Sequence, residues 1–187
     1  MSTVFISGSI KIKSLDEKLK ARLDSILDAD LKVVVGDAGG VDKSVQIYLK
    51  AKNTKSVVVY CSGDSPRNNE GCWPVVNVAT HHAENSREFF TAKDLKMTEA
   101  ADFGLMVWDS KSTGTLKNVC ELLAKGKKSV VYVAKEKAFL NIGGVKDLKI
   151  LVSLMSPLDR INAEKKLGIS SRFVELEGSP QSDMFSS

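Results

Sequence analysis

An α/β chain built on an open parallel sheet is the class this sequence predicts, on three observations. Short apolar, often β-branched runs alternate with segments whose apolar residues recur at helical spacing. Residues 56–60 are apolar almost without a break, as strands covered on both faces are. Four of the runs end in turns of glycine, serine, threonine and aspartate, the connection by which a parallel strand hands over to its crossover helix.

The elements follow in order. Residues 4–7 form a first strand. Residues 15–27 carry Leu15, Leu19, Leu23, Ile26 and Leu27 on one stripe, and Ser14 with Glu17 is the expected capping box. A strand at 31–35 leads through Asp37, Ala38, Gly39 and Gly40 into a helix at 41–49, and 56–60 is the third strand. Residues 62–83 have no period and contain Gly63, Pro66, Gly71 and Pro74. So long an irregular stretch inside a compact domain is usually functional or partly disordered. A helix at 86–101, a strand at 103–107, a helix from Gly114 and Thr115 to 124 and a strand at 129–133 complete about five core strands. Beyond them, helices are expected at 145–154 and 158–167 and a short edge strand at 172–176. The expected units are a nucleotide-binding domain (1–135), a helical addition packed on it (136–177) and a mobile polar tail (178–187).

Composition narrows the class. The chain of 187 residues is long enough for one substantial core. No apolar run reaches membrane-span length, and the N-terminus lacks a basic, cleavable leader, so a cytoplasmic protein without a membrane role is expected. Cys61, Cys72 and Cys120 form no CxxC pair, which argues for reduced thiols and against zinc or disulfides. A net charge of +4 suits an anionic ligand but does not by itself argue for duplex DNA.

The turns carry the functional reading. Ligands of open parallel sheets bind beyond the carboxyl ends of the strands. Ser7, Gly8 and Ser9 follow the first strand, residues 36–42 with Asp37, Gly39, Gly40 and Asp42 follow the second, and 61–64 follow the third. The fourth turn, 108–115, holds Asp109, Lys111, Ser112, Gly114 and Thr115 and opens a helix, whose free N–H groups and dipole favour an anion. Neither GxGxxG nor GxxxxGK[ST] occurs, so no dinucleotide, P-loop or other cofactor is expected.

Residues 93–94, Met97, 101–109, 111–112, 114–115 and Asn118 resemble a branch of the SLOG superfamily. These are Rossmann-like domains related to DNA-processing protein A, to the Lonely Guy phosphoribohydrolases and, more distantly, to nucleoside deoxyribosyltransferases. Residues 36–42 resemble the second-strand motif of the same group, and the likeness spans about 1–135. It implies a Rossmann-like open sheet, a nucleotide or nucleotide-derived ligand at the strand ends, contributions from Lys93, Asp94 and Asn118, and a homo-oligomer, commonly a dimer. Lonely Guy enzymes follow their glycine turn with a Glu pair. Here Leu116, Lys117 and Asn118 follow, and Glu121 is the first carboxylate downstream. Where this chain has Ser110, the branch often has glycine.

Three functions are therefore carried forward. The first is a nucleotide-binding sensor or carrier. The second is a nucleoside or nucleotide N-glycosidase or transferase, in which Asp109 or Glu88 is the catalytic carboxylate and Arg87 binds. The third is a DNA-processing accessory protein that handles single-stranded DNA. Each residue also has a plain structural reading: Asp109 holds its turn, Glu88 complements a helix dipole, and Trp108 packs rather than stacking on a base. Adjacent His81 and His82 have no partner at metal-ligand spacing. In the tail, Gln181, Met184 and Phe185 fit the pentapeptide through which bacterial replication proteins bind the sliding clamp, a candidate partner.

Overall fold

The computed structural model describes residues 1–84 and 86–178. The clamp motif at Gln181, Met184 and Phe185 lies outside the described residues. Strands β1 (Thr3–Gly8), β2 (Lys32–Gly36), β3 (Val57–Ser62), β4 (Val75–Val78), β5 (Phe103–Trp108), β6 (Ser129–Val133) and β7 (Ala138–Ile142) form one sheet in the order β4-β3-β2-β1-β5-β6-β7. All neighbours are parallel except β6 and β7. Strand order reverses between β1 and β5, so the crevice of a Rossmann-like sheet opens above that pair.

The period-two alternation of buried side chains sorts the core into two layers. Val4, Ile6, Val33, Val35, Leu105 and Val107 face α1 (Glu17–Asp28) and α2 (Val41–Ala51). Phe5, Val34, Met106, Trp108 and Val131 face α3 (Arg87–Ala100), α4 (Thr113–Ala124) and the C-terminal helices. Those last helices are α5 (Val145–Ser153), α6 (Pro157–Leu167) and α7 (Ile169–Glu177).

Four expectations are corrected. The sheet has seven strands, not about five. β4 hides within the aperiodic stretch because it is only four residues long, directly after Pro74, and pairs with β3 alone. The addition after residue 135 is not purely helical: β7 turns back and pairs antiparallel with β6. Residues 172–176 are helical, within α7, where Phe173 and Leu176 pack against the α4 and α5 core. Finally, Asp16 rather than Ser14 caps α1, its carboxylate accepting the Leu19 N–H. Among the described residues, no helix is long and apolar enough to cross a membrane.

Candidate functional site: a cleft at the strand-order reversal

Three of the four turns converge over β1 and β5. Ser9 N–H bonds Val107 O, and Val41 N–H bonds Ser9 O. Gly40 is left-handed (φ 68°), and a Cβ there would strike the backbone of Ile10, so the second turn lies flush on the first. The Ser9 hydroxyl donates to Asp109 Oδ2 at 2.7 Å and ties the first turn to the fourth. Between them opens a cleft of about 550 Å³.

The fourth turn is held by Asp109. Its Oδ1 accepts the N–H groups of Lys111 (3.0 Å) and Ser112 (2.7 Å). Burial acts to raise the Asp109 pKa, but these bonds and the Ser9 hydroxyl outweigh it and hold the carboxyl below its ordinary value. Ser110 adopts φ 62°, and its buried hydroxyl has no partner. Trp108 is fully buried and donates its indole N–H to Ser112 O, so it fixes the turn from below and offers no face for stacking. Ser112 then caps α4 through the Thr115 N–H. Thr113 and Gly114 belong to the first turn, where N–H groups have no acceptor within the helix, and both residues line the cleft. A Cβ on Gly114 would meet nothing closer than Ser112 Oγ at 3.9 Å. No neighbouring protein atom accounts for glycine there.

The floor is ionic. Lys93, 3% exposed, enters from α3 and places its Nζ 2.9 Å from Asp94, 3.9 Å from Asp37 and 4.0 Å from Asp42. Gly36 makes room for this: a Cβ there would collide with the Asp42 carboxylate and lie 2.6 Å from Lys93 Nζ. Asp37 is further engaged by a two-pronged pair with Arg67 (3.0 and 2.8 Å) and by the Arg67 N–H. Burial pushes Asp37 up, but Arg67 and Lys93 more than compensate and its carboxyl stays below the ordinary value. Asp42 differs. Burial dominates there, the Lys93 charge and the Ala38 N–H offset it only in part, and its pKa rises to about 7. Its Oδ1 is buried without a hydrogen-bond partner. For Lys93 burial is likewise the largest influence, yet Asp94, Asp42 and Asp37 together raise its pKa, so it stays charged. Asn118 Nδ2 reaches Ser7 Oγ at 3.4 Å and Asp94 Oδ2 at 3.5 Å, both at the outer limit of a hydrogen bond.

Of the residues singled out in the sequence, the structure brings Ser7, Gly8, Ser9, Asp42, Arg87, Lys93, Asp94, Asp109, Lys111, Ser112, Gly114, Thr115 and Asn118 to the cleft lining. Arg87 hydrogen-bonds Thr113 Oγ1 at 2.9 Å. Asp37, Gly39 and Gly40 lie outside the lining; Asp37 and Gly40 pack behind it, whereas Gly39 is exposed with open space around it. Glu88 is exposed and away from the cleft.

Sequence reasoning missed Arg67, Phe90 and the α6 residues Asp159, Asn162 and Lys166, all of which border the cleft. Arg67 had a signal, since it sits in the irregular stretch. That stretch is pinned rather than loose at its start: Gln46 bonds Gly36 O, Asn68 O and the Glu70 N–H, Asn68 bonds Asp37 O, and Arg67 lies 4.3 Å over the Phe90 ring. The α6 residues had none, because nothing local announces where a terminal helix docks. Among the described residues no group of His, Cys, Asp and Glu side chains is arranged to hold a metal. No protein-family model, curated protein or solved structure matches the chain, so what the cleft takes must be read from its own residues.

Proposed function

We propose that the protein is a binding protein, a sensor or carrier, for a nucleotide or nucleotide-derived anion held in this cleft. The observation that carries the reading is the start of α4. Thr113 and Gly114, first-turn residues whose N–H groups have no acceptor within the helix, line the cleft at the strand-order reversal, and no protein neighbour requires the glycine. Lys11, Arg87, Lys111 and Lys166 ring the same opening and add to its pull on an anion. A volume of about 550 Å³ suits a small organic ligand.

Binding without turnover is favoured by the state of Asp109. Its Oδ1 is held by its own turn and its Oδ2 by the Ser9 hydroxyl, so the carboxylate expected to attack or stabilise a sugar centre is already engaged.

The test is a thermal-shift and calorimetric panel of nucleoside mono-, di- and triphosphates with inorganic phosphate, followed by assay for released base. The expected result is a saturable shift without base release. Gly114→Ala should weaken that binding at least about tenfold, since a methyl group would stand where the anion meets the backbone, while leaving the fold unharmed or more stable by about 0.5–1 kcal/mol. Base release abolished by Asp109→Ala would replace this reading with the glycosidase one. Salt-dependent binding of single-stranded DNA, weakened by Lys111→Ala, would replace it with the DNA-processing one.

A further inference from the structure

The charges beneath the cleft do not balance. Lys93, entering from α3, stands among Asp94 of its own helix, Asp37 from the turn after β2 and Asp42 from the first turn of α2. Arg67, from the irregular stretch, pairs with Asp37. Three carboxylates thus meet two cations. The group carries one negative charge while Asp42 is ionised and none once Asp42 holds a proton.

Asp42 is where that proton belongs. Both oxygens of Asp37 are taken by Arg67, and Asp94 Oδ1 lies 2.9 Å from Lys93 Nζ. Asp42 has no such partner: Lys93 Nζ approaches it only to 4.0 Å, and its Oδ1 is buried without a hydrogen bond. An ionised oxygen so placed is costly, and a proton removes the charge where it is least compensated. Burial accordingly lifts the Asp42 pKa to about 7; the Lys93 charge opposes the rise, Asp94 adds to it, the Ala38 N–H opposes it and Asp37 adds again. The neighbouring Cys61 thiol is pushed up by burial and by Asp37, so it stays neutral and does not compete for the role.

The same group underlies the anion site. Asp42 and Asp94 belong to the cleft wall, and Lys11, Arg87, Lys111 and Lys166 border the same cleft. A negative charge on Asp42 acts on an anion in the cleft through a poorly screened medium and needs no contact with it. Whatever factor the proton adds to anion affinity, the anion must add to proton affinity.

We propose that Asp42 is a proton switch beneath the anion site: the cleft takes up its anion together with a solvent proton on Asp42, and loosens its hold as that proton leaves. This describes the regulation of the proposed site and rests on the anion-binding reading.

Calorimetric titration of the full chain with inorganic sulfate tests it, because sulfate keeps its double charge across the range and contributes no titration of its own. Sulfate affinity should fall about threefold to tenfold from pH 6 to pH 8, the span over which Asp42 ionises. Asp42→Asn, which fixes the floor in its neutral form, should bind sulfate with an affinity that changes less than about twofold over the same range. In the unaltered protein at pH 7, titrations in buffers of different ionisation enthalpy should show uptake of about 0.4 proton per sulfate bound. Sulfate binding with no proton uptake overturns the switch, whether or not the variant folds, and leaves the anion site standing. An equal fall in affinity in Asp42→Asn overturns the assignment to Asp42. Absence of sulfate binding at pH 6 overturns the anion-binding reading as well.

Discussion

The lip of the cleft and its floor are both built on aspartates that follow parallel strands, yet they are opposites. Asp109 at the lip is tied by two backbone N–H groups and a serine hydroxyl, and its pKa falls. Asp42 at the floor has an oxygen with no partner, and its pKa rises to about 7. The lip shows a carboxylate serving the chain's own architecture. The floor shows one whose hydrogen-bonding capacity the chain leaves partly unused.

The largest effect should come from removing the floor's central charge. Lys93→Met leaves Asp42, Asp94 and Asp37 facing one another without a shared counter-ion, and a buried pair broken on one side costs about 3–5 kcal/mol. Urea denaturation should show that loss. A change under about 1 kcal/mol would mean that the three carboxylates do not depend on Lys93.

The pH dependence separates the two regions by sign. Asp42 has a folded pKa above its unfolded value of 3.8, so its contribution is fully present below pH 3.8 and disappears as pH rises through about 7. Asp109 and Asp37 are depressed, so their contributions are present above the ordinary carboxylate range and lost only in acid. Stability should therefore fall by about 2–4 kcal/mol between pH 4 and pH 8 because of Asp42. Asp42→Asn should flatten that slope. An unchanged slope in the variant would show that Asp42 is not the titrating group.

At the lip, Asp109→Ala removes two turn bonds and the link to Ser9, a cost of about 1.5–3 kcal/mol in chemical denaturation. If stability were unchanged while ligand chemistry vanished, the contrast between lip and floor would collapse. The smallest effect is a gain. Ser110→Gly relieves a left-handed residue and removes a buried hydroxyl without a partner, and the net stabilisation should be about 1 kcal/mol, read as a small rise in Tm.

The same contrast explains what could be read in advance. The parallel core strands and the turns after β1, β2 and β5 were legible, because β-branched runs, helical spacing and glycine turns are local signals. The convergence of those turns follows from the fold class. Whether a turn's aspartate is satisfied depends on partners about a hundred residues away, such as Ser9 for Asp109, and no window of sequence contains both. The floor is a sharper case. Lys93 and Asp94 stand out in the sequence, but that Asp37 and Asp42 close around the same ammonium depends on Gly36 leaving the space. β4 and β7 escaped because edge strands of four and five residues carry little periodicity. Within α7, the apolar residues Phe173, Val174 and Leu176 are equally compatible with a short strand, so the sequence alone does not mark the helix.

α6 has a role beyond covering the sheet. It packs beside α4 and lends Asp159, Asn162 and Lys166 to the cleft wall. Completing the cleft wall and seating α6 on α4 are thus one packing event. A ligand in the proposed site would therefore also hold α6 in place, because the same helix that covers the α4 face supplies one wall of the cleft.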